Sequence, residues 1–141
     1  MTREKIEISL PKGKIIEKIE NFVKDRKEII FAYIFGSFTE SKTFKDLDLA
    51  IYLDESNTAL KKIFYEVELS NQLEEIIRIP VDIIILNSAS DAILYRASQG
   101  ILVKNSDDNT RVSFLTTHWK EYWDFKGKLQ EHISEVKHGT R

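Results

Sequence analysis

Apolar residues follow a period close to 3.6 in two long segments of the first 80 residues, which is typical of helices that pack one face on a core. The first segment is Lys14–Lys27, where the apolar residues at helical spacing are Ile15, Ile16, Ile19, Phe22 and Val23. The second segment is Thr58–Arg78. Its apolar positions predict an inner side made of Leu60, Ile63, Phe64, Val67, Leu73, Ile76 and Ile77.

Shorter apolar runs between these helices predict strands. Ile29–Phe35 is apolar throughout and Leu47–Leu53 is apolar at almost every position, as expected for strands that are covered on both faces. Pro80 ends the second helix and precedes a third strand, Val81–Leu86. The elements that follow are a short helix Asp91–Gln99 capped by Ser88 or Ser90, a turn at Gly100 and a strand Ile101–Lys104.

The two ends of the chain carry different signals. Lys5–Leu10 alternates apolar and polar residues, so residues 1–13 are expected to form an edge strand or an arm on a partner. Thr110–Val136 returns to the helical period, and residues 137–141 are expected to fray. The aromatic residues of this last helix belong either to the core or to an interface, and they are Trp119, Tyr122, Trp123 and Phe125.

Composition narrows the class of protein. A chain of 141 residues is expected to form a single domain, residues 1–141, with one sizeable core. The net charge of −2 lacks the basic footprint of a general nucleic-acid binder, and the absence of cysteine excludes disulfides and thiolate metal sites. No apolar run is long enough for a signal peptide or a membrane span, so a cytoplasmic protein is expected.

Two aspartates stand at the start of the apolar strand Leu47–Leu53. Strand residues i and i+2 point to the same face, so Asp46 and Asp48 project together while Leu47 and Leu49 project to the other face. Two like charges ~4 Å apart repel by about 4 kcal/mol at an effective dielectric constant near 20. A proton or a cation relieves this repulsion, and Mg²⁺ prefers carboxylate and phosphate oxygens.

A glycine and a serine follow the preceding strand. Gly36 allows a sharp turn and a close approach of a ligand to the backbone, and Ser37 offers a hydroxyl and a backbone N–H at the start of a helical turn. These features suit a phosphate group. A phosphate cradle near a metal-binding carboxylate pair indicates chemistry on a nucleoside triphosphate.

The pattern Gly36-Ser37, eight residues and then Asp46-Leu47-Asp48 resembles the signature of polymerase-β-type nucleotidyltransferases. More narrowly, the chain from about Lys14 to Glu135 resembles the minimal nucleotidyltransferase (MNT) antitoxins that partner HEPN toxins. The resemblance implies an α/β (α+β) fold with a small mixed central sheet flanked by helices and a long C-terminal helix. It also implies a third carboxylate on the strand after Pro80, which is Asp82.

The resemblance carries expectations about activity. It implies transfer of AMP from ATP to a tyrosine hydroxyl of a partner HEPN ribonuclease toxin. The expected assembly is a hetero-oligomer with that toxin, and a homodimer of the chain is also compatible with the resemblance. Asp46 and Asp48 are expected to hold one Mg²⁺ and to share a second with Asp82, which would also help to deprotonate the hydroxyl. Gly36 and Ser37 are expected to hold the β- and γ-phosphates. Neither nucleic acid nor membrane is expected as a direct partner.

The chain also departs from the family pattern. The spacer before Asp46 is short, Thr39-Glu40 stands where a small residue and an arginine are usual, and Lys45 stands where serine is common. Lys42 and Lys45 are the candidates to replace the missing arginine charge.

These departures keep two other hypotheses open. One is an antitoxin that blocks its toxin by occlusion and has a vestigial site. The other is a small-molecule nucleotidyltransferase of the aminoglycoside-modifying type. The three histidines show no metal-ligand spacing and are expected at the surface: His118, His132 and His138.

Overall fold

A computed structural model describes residues 11–57, 63–120 and 123–124 of the chain. Four strands form one sheet: β1 (Ile29–Phe35), β2 (Leu47–Leu53), β3 (Val81–Ile85) and β4 (Ile101–Asn105). The helices are α1 (Lys12–Lys24), α2 (Ser37–Glu40), α3 (Tyr65–Ile77), α4 (Asp91–Ser98) and α5, which is helical over residues 108–120. A 3₁₀ turn, Leu86–Ser88, follows β3.

The sheet is mixed, with the strand order β3-β2-β1-β4. β1 pairs antiparallel with both β2 and β4, whereas β2 and β3 run parallel. Parallel neighbours require a long crossover, and α3 provides it between β2 and β3. The fold therefore confirms the predicted mixed sheet flanked by helices.

Each face of the sheet has its own apolar layer. The alternate residues Leu47, Leu49, Ile51 and Leu53 of β2 pack with α1 and α3. The other alternation, with Ala50 and Tyr52, packs with α4 and α5 through the buried residues Leu94, Ala97 and Leu115. The prediction that this strand is covered on both faces is confirmed.

Most predicted elements are present with small shifts at their ends. β1 and β2 have the predicted bounds, and Ser90 caps α4, since its hydroxyl oxygen accepts a hydrogen bond from the Ile93 N–H at 3.3 Å. α1 begins at Lys12, two residues early, and ends at Lys24. β3 ends at Ile85, one residue early, because the Asn87 side chain then bonds both the N–H and the C=O of Leu53.

The predicted inner side of α3 was largely wrong. The side chains of Ile63, Phe64, Val67 and Ile76 are exposed by 86%, 67%, 55% and 42%, and Leu60 lies outside the described residues. The helix begins only at Tyr65, and its buried stripe recurs every four residues at Tyr65, Leu69, Leu73 and Ile77. Only Leu73 and Ile77 were placed correctly. Apolar content did not reveal which stripe faces the sheet.

The C-terminal segment can be compared with prediction only in part. Within α5, Leu115 is buried and Trp119 is partly buried, so these residues belong to the core, while Val112 and Trp123 are exposed. Tyr122 and Phe125 lie outside the described residues, as do the predicted arm before Pro11 and the predicted frayed tail 137–141. No helix in the described ranges is both long enough and apolar enough to cross a membrane.

Candidate active site

Three carboxylates converge at one end of the β2–β3 pair. Asp46 immediately precedes β2, Asp48 is the second residue of β2, and Asp82 is the second residue of β3. Because Asp48 and Asp82 are register partners in the parallel pair, their side chains emerge side by side. One carboxylate oxygen from each of the three residues lies within 4.8 Å of the others. The structure thus brings together the three aspartates singled out from the sequence.

The cluster is electrostatically strained. The pKa of Asp48 is raised, first because the carboxyl group is partly buried and then because the charges of Asp46 and Asp82 repel its own. The positive charge of Arg96 acts in the opposite direction. A set of carboxylate oxygens of this kind is the donor set that a hard cation such as Mg²⁺ prefers, so the residues fit the ion that the sequence suggested.

Gly36 makes the close approach of the turn to Asp48 sterically feasible. β1 ends at Phe35, which pairs with Asp48, and the chain then turns at Gly36 with φ +80°. A Cβ atom on Gly36 would lie only 2.3 Å from the Asp48 Oδ2 atom. Glycine is therefore needed here for two reasons, the left-handed backbone conformation and the space that the carboxylate occupies.

Side chains that sequence reasoning missed hold the short helix α2 in place. The Lys12 ammonium group donates hydrogen bonds to the carbonyl oxygens of Phe38, at 2.6 Å, and Ser41, and lies over the rings of Phe38 and Phe44. At the other end of α2, the Thr39 hydroxyl donates to the Gly36 carbonyl oxygen at 2.9 Å. Lys12 thus anchors α2 to α1, while the Thr39 bond is local and supports the turn from within α2.

The strand that carries Asp82 is anchored in a similar way. The Ser70 hydroxyl donates to the Val81 carbonyl oxygen at 2.6 Å, and the Val81 N–H donates to Glu74 Oε1 at 2.7 Å. Both partners lie on α3, and sequence reasoning did not identify either of them. These bonds hold the backbone next to Asp82, because they satisfy the polar groups of Val81 that would otherwise lie at the open edge of β3.

The structure places the two predicted substitutes for the missing arginine charge in the segment before β2. Lys42 and Lys45 are exposed. A cavity lies beside the glycine turn, and neither lysine is among the residues that line it. Arg96 of α4 does line such a cavity, together with Gly36. Sequence reasoning missed Arg96 because 60 residues separate it from the turn and no local pattern links the two.

His118 differs from its predicted surface role. It is partly buried and forms a hydrogen bond with Asp91 Oδ1 at 2.6 Å, which ties α5 to the first turn of α4. It does not belong to the acidic cluster found among the described residues. His132 and His138 lie outside the described residues.

Comparison with known proteins adds a family to this geometry. The family model described as "Polymerase beta, Nucleotidyltransferase" matches residues 17–109, a range that contains the glycine turn and all three aspartates. No curated protein sequence matched the chain.

Several solved structures share the fold. One is a tri-AMPylated Shewanella oneidensis HEPN toxin in complex with MNT antitoxin, with a TM-score of 0.66 and 19% identity over 90% of this chain and 99% of that one. A toxin–antitoxin structure with AMP-PNP has a TM-score of 0.67 and 19% identity over 86% and 98%. The MntA–HepT toxin–antitoxin structure has a TM-score of 0.64 and 18% identity over 89% and 98%.

Proposed function

The chain belongs to the polymerase-β nucleotidyltransferase family, and from that premise we propose that it is a Mg²⁺-dependent antitoxin enzyme. In this proposal it transfers AMP from ATP to a tyrosine hydroxyl of a partner HEPN toxin and so neutralises the toxin. The observation that carries the proposal is the convergence of Asp46, Asp48 and Asp82 beside the Gly36 turn. The similar structures, which include an AMPylated HEPN toxin and a complex with AMP-PNP, support this choice of donor and acceptor.

The reaction is a displacement at the α-phosphate. The acceptor hydroxyl oxygen forms a bond to the α-phosphorus, the bond from that phosphorus to the oxygen bridging to the β-phosphate breaks, and pyrophosphate leaves. Bound Mg²⁺ supplies Lewis-acid stabilisation of the charge on the phosphate oxygens. Asp46 and Asp48 would hold the ion, and Asp82 would contribute a further ligand oxygen.

The remaining roles are to accept the proton of the acceptor hydroxyl and to bind the phosphates. Asp82 is the most exposed of the three aspartates, so a side chain from another folded protein can reach it, and its carboxylate accepts the proton that the hydroxyl loses. Gly36 and Ser37 present backbone and hydroxyl groups to the β- and γ-phosphates. The protein acts in the cytoplasm, where ATP is present.

The test is label transfer to the partner toxin from ATP labelled at the α-phosphate, in the presence of Mg²⁺. We expect Asp46→Asn and Asp48→Asn each to abolish transfer, because each removes a charge from the cation site. Asp54→Asn is the matched control, since Asp54 follows the opposite end of β2 and its carboxylate accepts hydrogen bonds from Ser56 in the local turn. Transfer that persists in both site variants would contradict the proposal.

Binding without catalysis is the second candidate function. It is favoured by Thr39-Glu40, which places a carboxylate rather than a cation on the turn of α2 next to the proposed phosphate site. A growth assay with the toxin separates the two functions. If Asp46→Asn and Asp48→Asn still neutralise the toxin as well as the unaltered chain, occlusion replaces nucleotidyl transfer as the mechanism.

A further inference from the structure

A cavity of about 300 Å³ adjoins the candidate active site on the side of α4. Its wall includes Gly36, the residue whose Cα faces the Asp48 carboxylate, so the cavity and the acidic cluster share one backbone turn. The lining residues are contributed by the end of β1, α2, α4 and the start of β4: Phe35, Gly36, Thr39, Glu40, Arg96, Gln99, Gly100 and Ile101.

Asp48 and α4 lie on the same side of the sheet. Asp48 alternates in phase with Ala50 and Tyr52, whose side chains pack in the apolar layer formed with α4 and α5. Phe35 belongs to that same layer. A charged side chain on the exposed part of α4 therefore lies on the same face of the sheet as the Asp48 carboxylate.

Arg96 is that charged side chain. Its guanidinium carbon lies 5.9 Å from the centroid of the Phe35 ring, and its positive charge reaches Asp48. Among the described residues it makes no ion pair with a carboxylate, although Glu40 lines the same cavity. The guanidinium group is thus held near the site by an aromatic ring and keeps its donors available.

The backbone beneath Arg96 is firmly placed. Its neighbours Leu94 and Ala97 are buried in the core, and Ser90 caps the helix. After α4, Gly100 packs so closely on β1 that a Cβ atom there would lie 2.0 Å from the Ile34 carbonyl oxygen. The position of Arg96 is therefore determined by the core, while its side chain stays exposed.

We propose that Arg96 binds the β- and γ-phosphates of the nucleotide in this cavity. A guanidinium group presents its donors in a fork that matches phosphate oxygens, and the nearby Phe35 ring does not occupy those donors. The turn segment Ser37–Glu40 itself carries no basic side chain, so the cation has to come from another element. The inference rests on the proposed function, because it concerns the same nucleotide.

The negative charge around the site explains why the positive charge of Arg96 matters for binding a triphosphate. The three aspartates and Glu40 all repel an approaching triphosphate. Mg²⁺ bound at the aspartates would offset the repulsion there, but not the repulsion from Glu40. Arg96 offsets charge at the far end of the triphosphate and on the departing pyrophosphate. Arg96 contacts the β- and γ-phosphates directly. AMP lacks these phosphates and therefore makes no contact with Arg96.

Calorimetric titration of the full chain tests this assignment, with ATP, AMP and inorganic tripolyphosphate as separate probes in the presence of Mg²⁺. We expect Arg96→Ala to weaken ATP and tripolyphosphate binding roughly tenfold and to leave AMP binding within about twofold, as expected for loss of one charge-assisted contact. Arg96→Lys should restore part of the affinity, because it returns the charge without the planar fork. Lys27→Ala is the matched control and should leave all three affinities within about twofold, since Lys27 is exposed and lies before the end of β1 opposite Gly36. Lys42→Ala and Lys45→Ala test the rival loop lysines, and we expect both to behave like the control.

Each other outcome has a definite meaning. Unchanged ATP binding by Arg96→Ala, or an equal loss for ATP and AMP, overturns the role of Arg96, while the proposed function stands if label transfer still depends on Asp46 and Asp48. A tenfold loss in Lys42→Ala or Lys45→Ala instead assigns the phosphates to the loop lysines and also overturns it. If the unaltered chain binds no ATP in Mg²⁺, both the inference and the proposed function fail. An unchanged thermal midpoint for Arg96→Ala shows that the fold is intact.

Discussion

The two ends of β2 carry aspartates in opposite electrostatic situations. At the C-terminal end, Asp54 accepts hydrogen bonds from the Ser56 N–H, at 3.0 Å, and the Ser56 hydroxyl, at 2.8 Å, and these bonds lower its pKa. At the N-terminal end, the pKa of Asp48 is raised by burial and by its two aspartate neighbours. One strand thus ends in a carboxylate that the fold satisfies and begins with one that it does not.

The backbone shows the same contrast. Beyond the last pair of β2, Asn87 bonds both polar groups of Leu53 and completes the sheet there. At the first residues of β2, the Asp48 carboxylate packs so closely on Gly36 that a Cβ atom there would lie 2.3 Å from Asp48 Oδ2. The fold thus satisfies the carboxylate at one end of β2 and keeps like charges together at the other end, which is an arrangement typical of functional sites.

The largest expected effect comes from Gly36→Ala, which disturbs the N-terminal end of β2, where Asp48 packs against Gly36. The added Cβ atom meets Asp48 Oδ2, and the left-handed backbone disfavours alanine, so we expect label transfer to fall by roughly 100-fold and the free energy of unfolding to drop by about 1–3 kcal/mol. Gly13→Ala is the control, because nothing lies within 4 Å of its Cβ position and it sits in α1. Label transfer and urea denaturation measure the two quantities. Normal transfer by Gly36→Ala would contradict the geometry of the turn.

A smaller effect is the gain in thermal stability on adding Mg²⁺, which should depend on the aspartate at one end of β2 and not on the aspartate at the other. Binding to the folded state alone raises stability, so Mg²⁺ at ten times its dissociation constant should add about 1.4 kcal/mol and raise the thermal midpoint by a few degrees. We expect Asp48→Asn to lose this response and Asp54→Asn to keep it. Thermal unfolding with Mg²⁺ and with a chelator measures the midpoints. Equal responses in the two variants would show that the ion binds elsewhere.

The smallest effect is a difference in pH dependence without divalent cations. The folded-state pKa of Asp48 is raised, so its contribution to stability is present below its unfolded pKa and is lost as pH rises through the folded value. The pKa of Asp54 is lowered, so its contribution is present above the unfolded pKa and is lost as pH falls through the folded value.

Denaturation of the unaltered chain, Asp48→Asn and Asp54→Asn across pH 3–7 measures these contributions. The stability difference between the unaltered chain and Asp48→Asn should shift against the unaltered chain as pH rises, and that for Asp54→Asn should shift in its favour. If both differences move in the same direction, the two carboxylates are not in the opposite environments described above.

Local signals predicted a large part of the molecule. The bounds of β1 and β2, the common face of Asp46 and Asp48, and the turn at Gly36 follow from side-chain periodicity and from backbone preferences over a few residues. Asp82 was reached through the family resemblance, and the parallel register of β2 and β3 then places it opposite Asp48.

The other features depend on contacts between residues that are distant in sequence. The buried stripe of α3 depends on how that helix lies on the sheet, and an apolar residue such as Ile63 or Phe64 does not reveal whether the sheet covers it. Lys12 of α1 binds α2, Arg96 of α4 lines the cavity beside Gly36, and His118 pairs with Asp91 across two helices. Periodicity determines which side chains share a face within one element, whereas contacts between elements depend on packing geometry that no local spacing encodes.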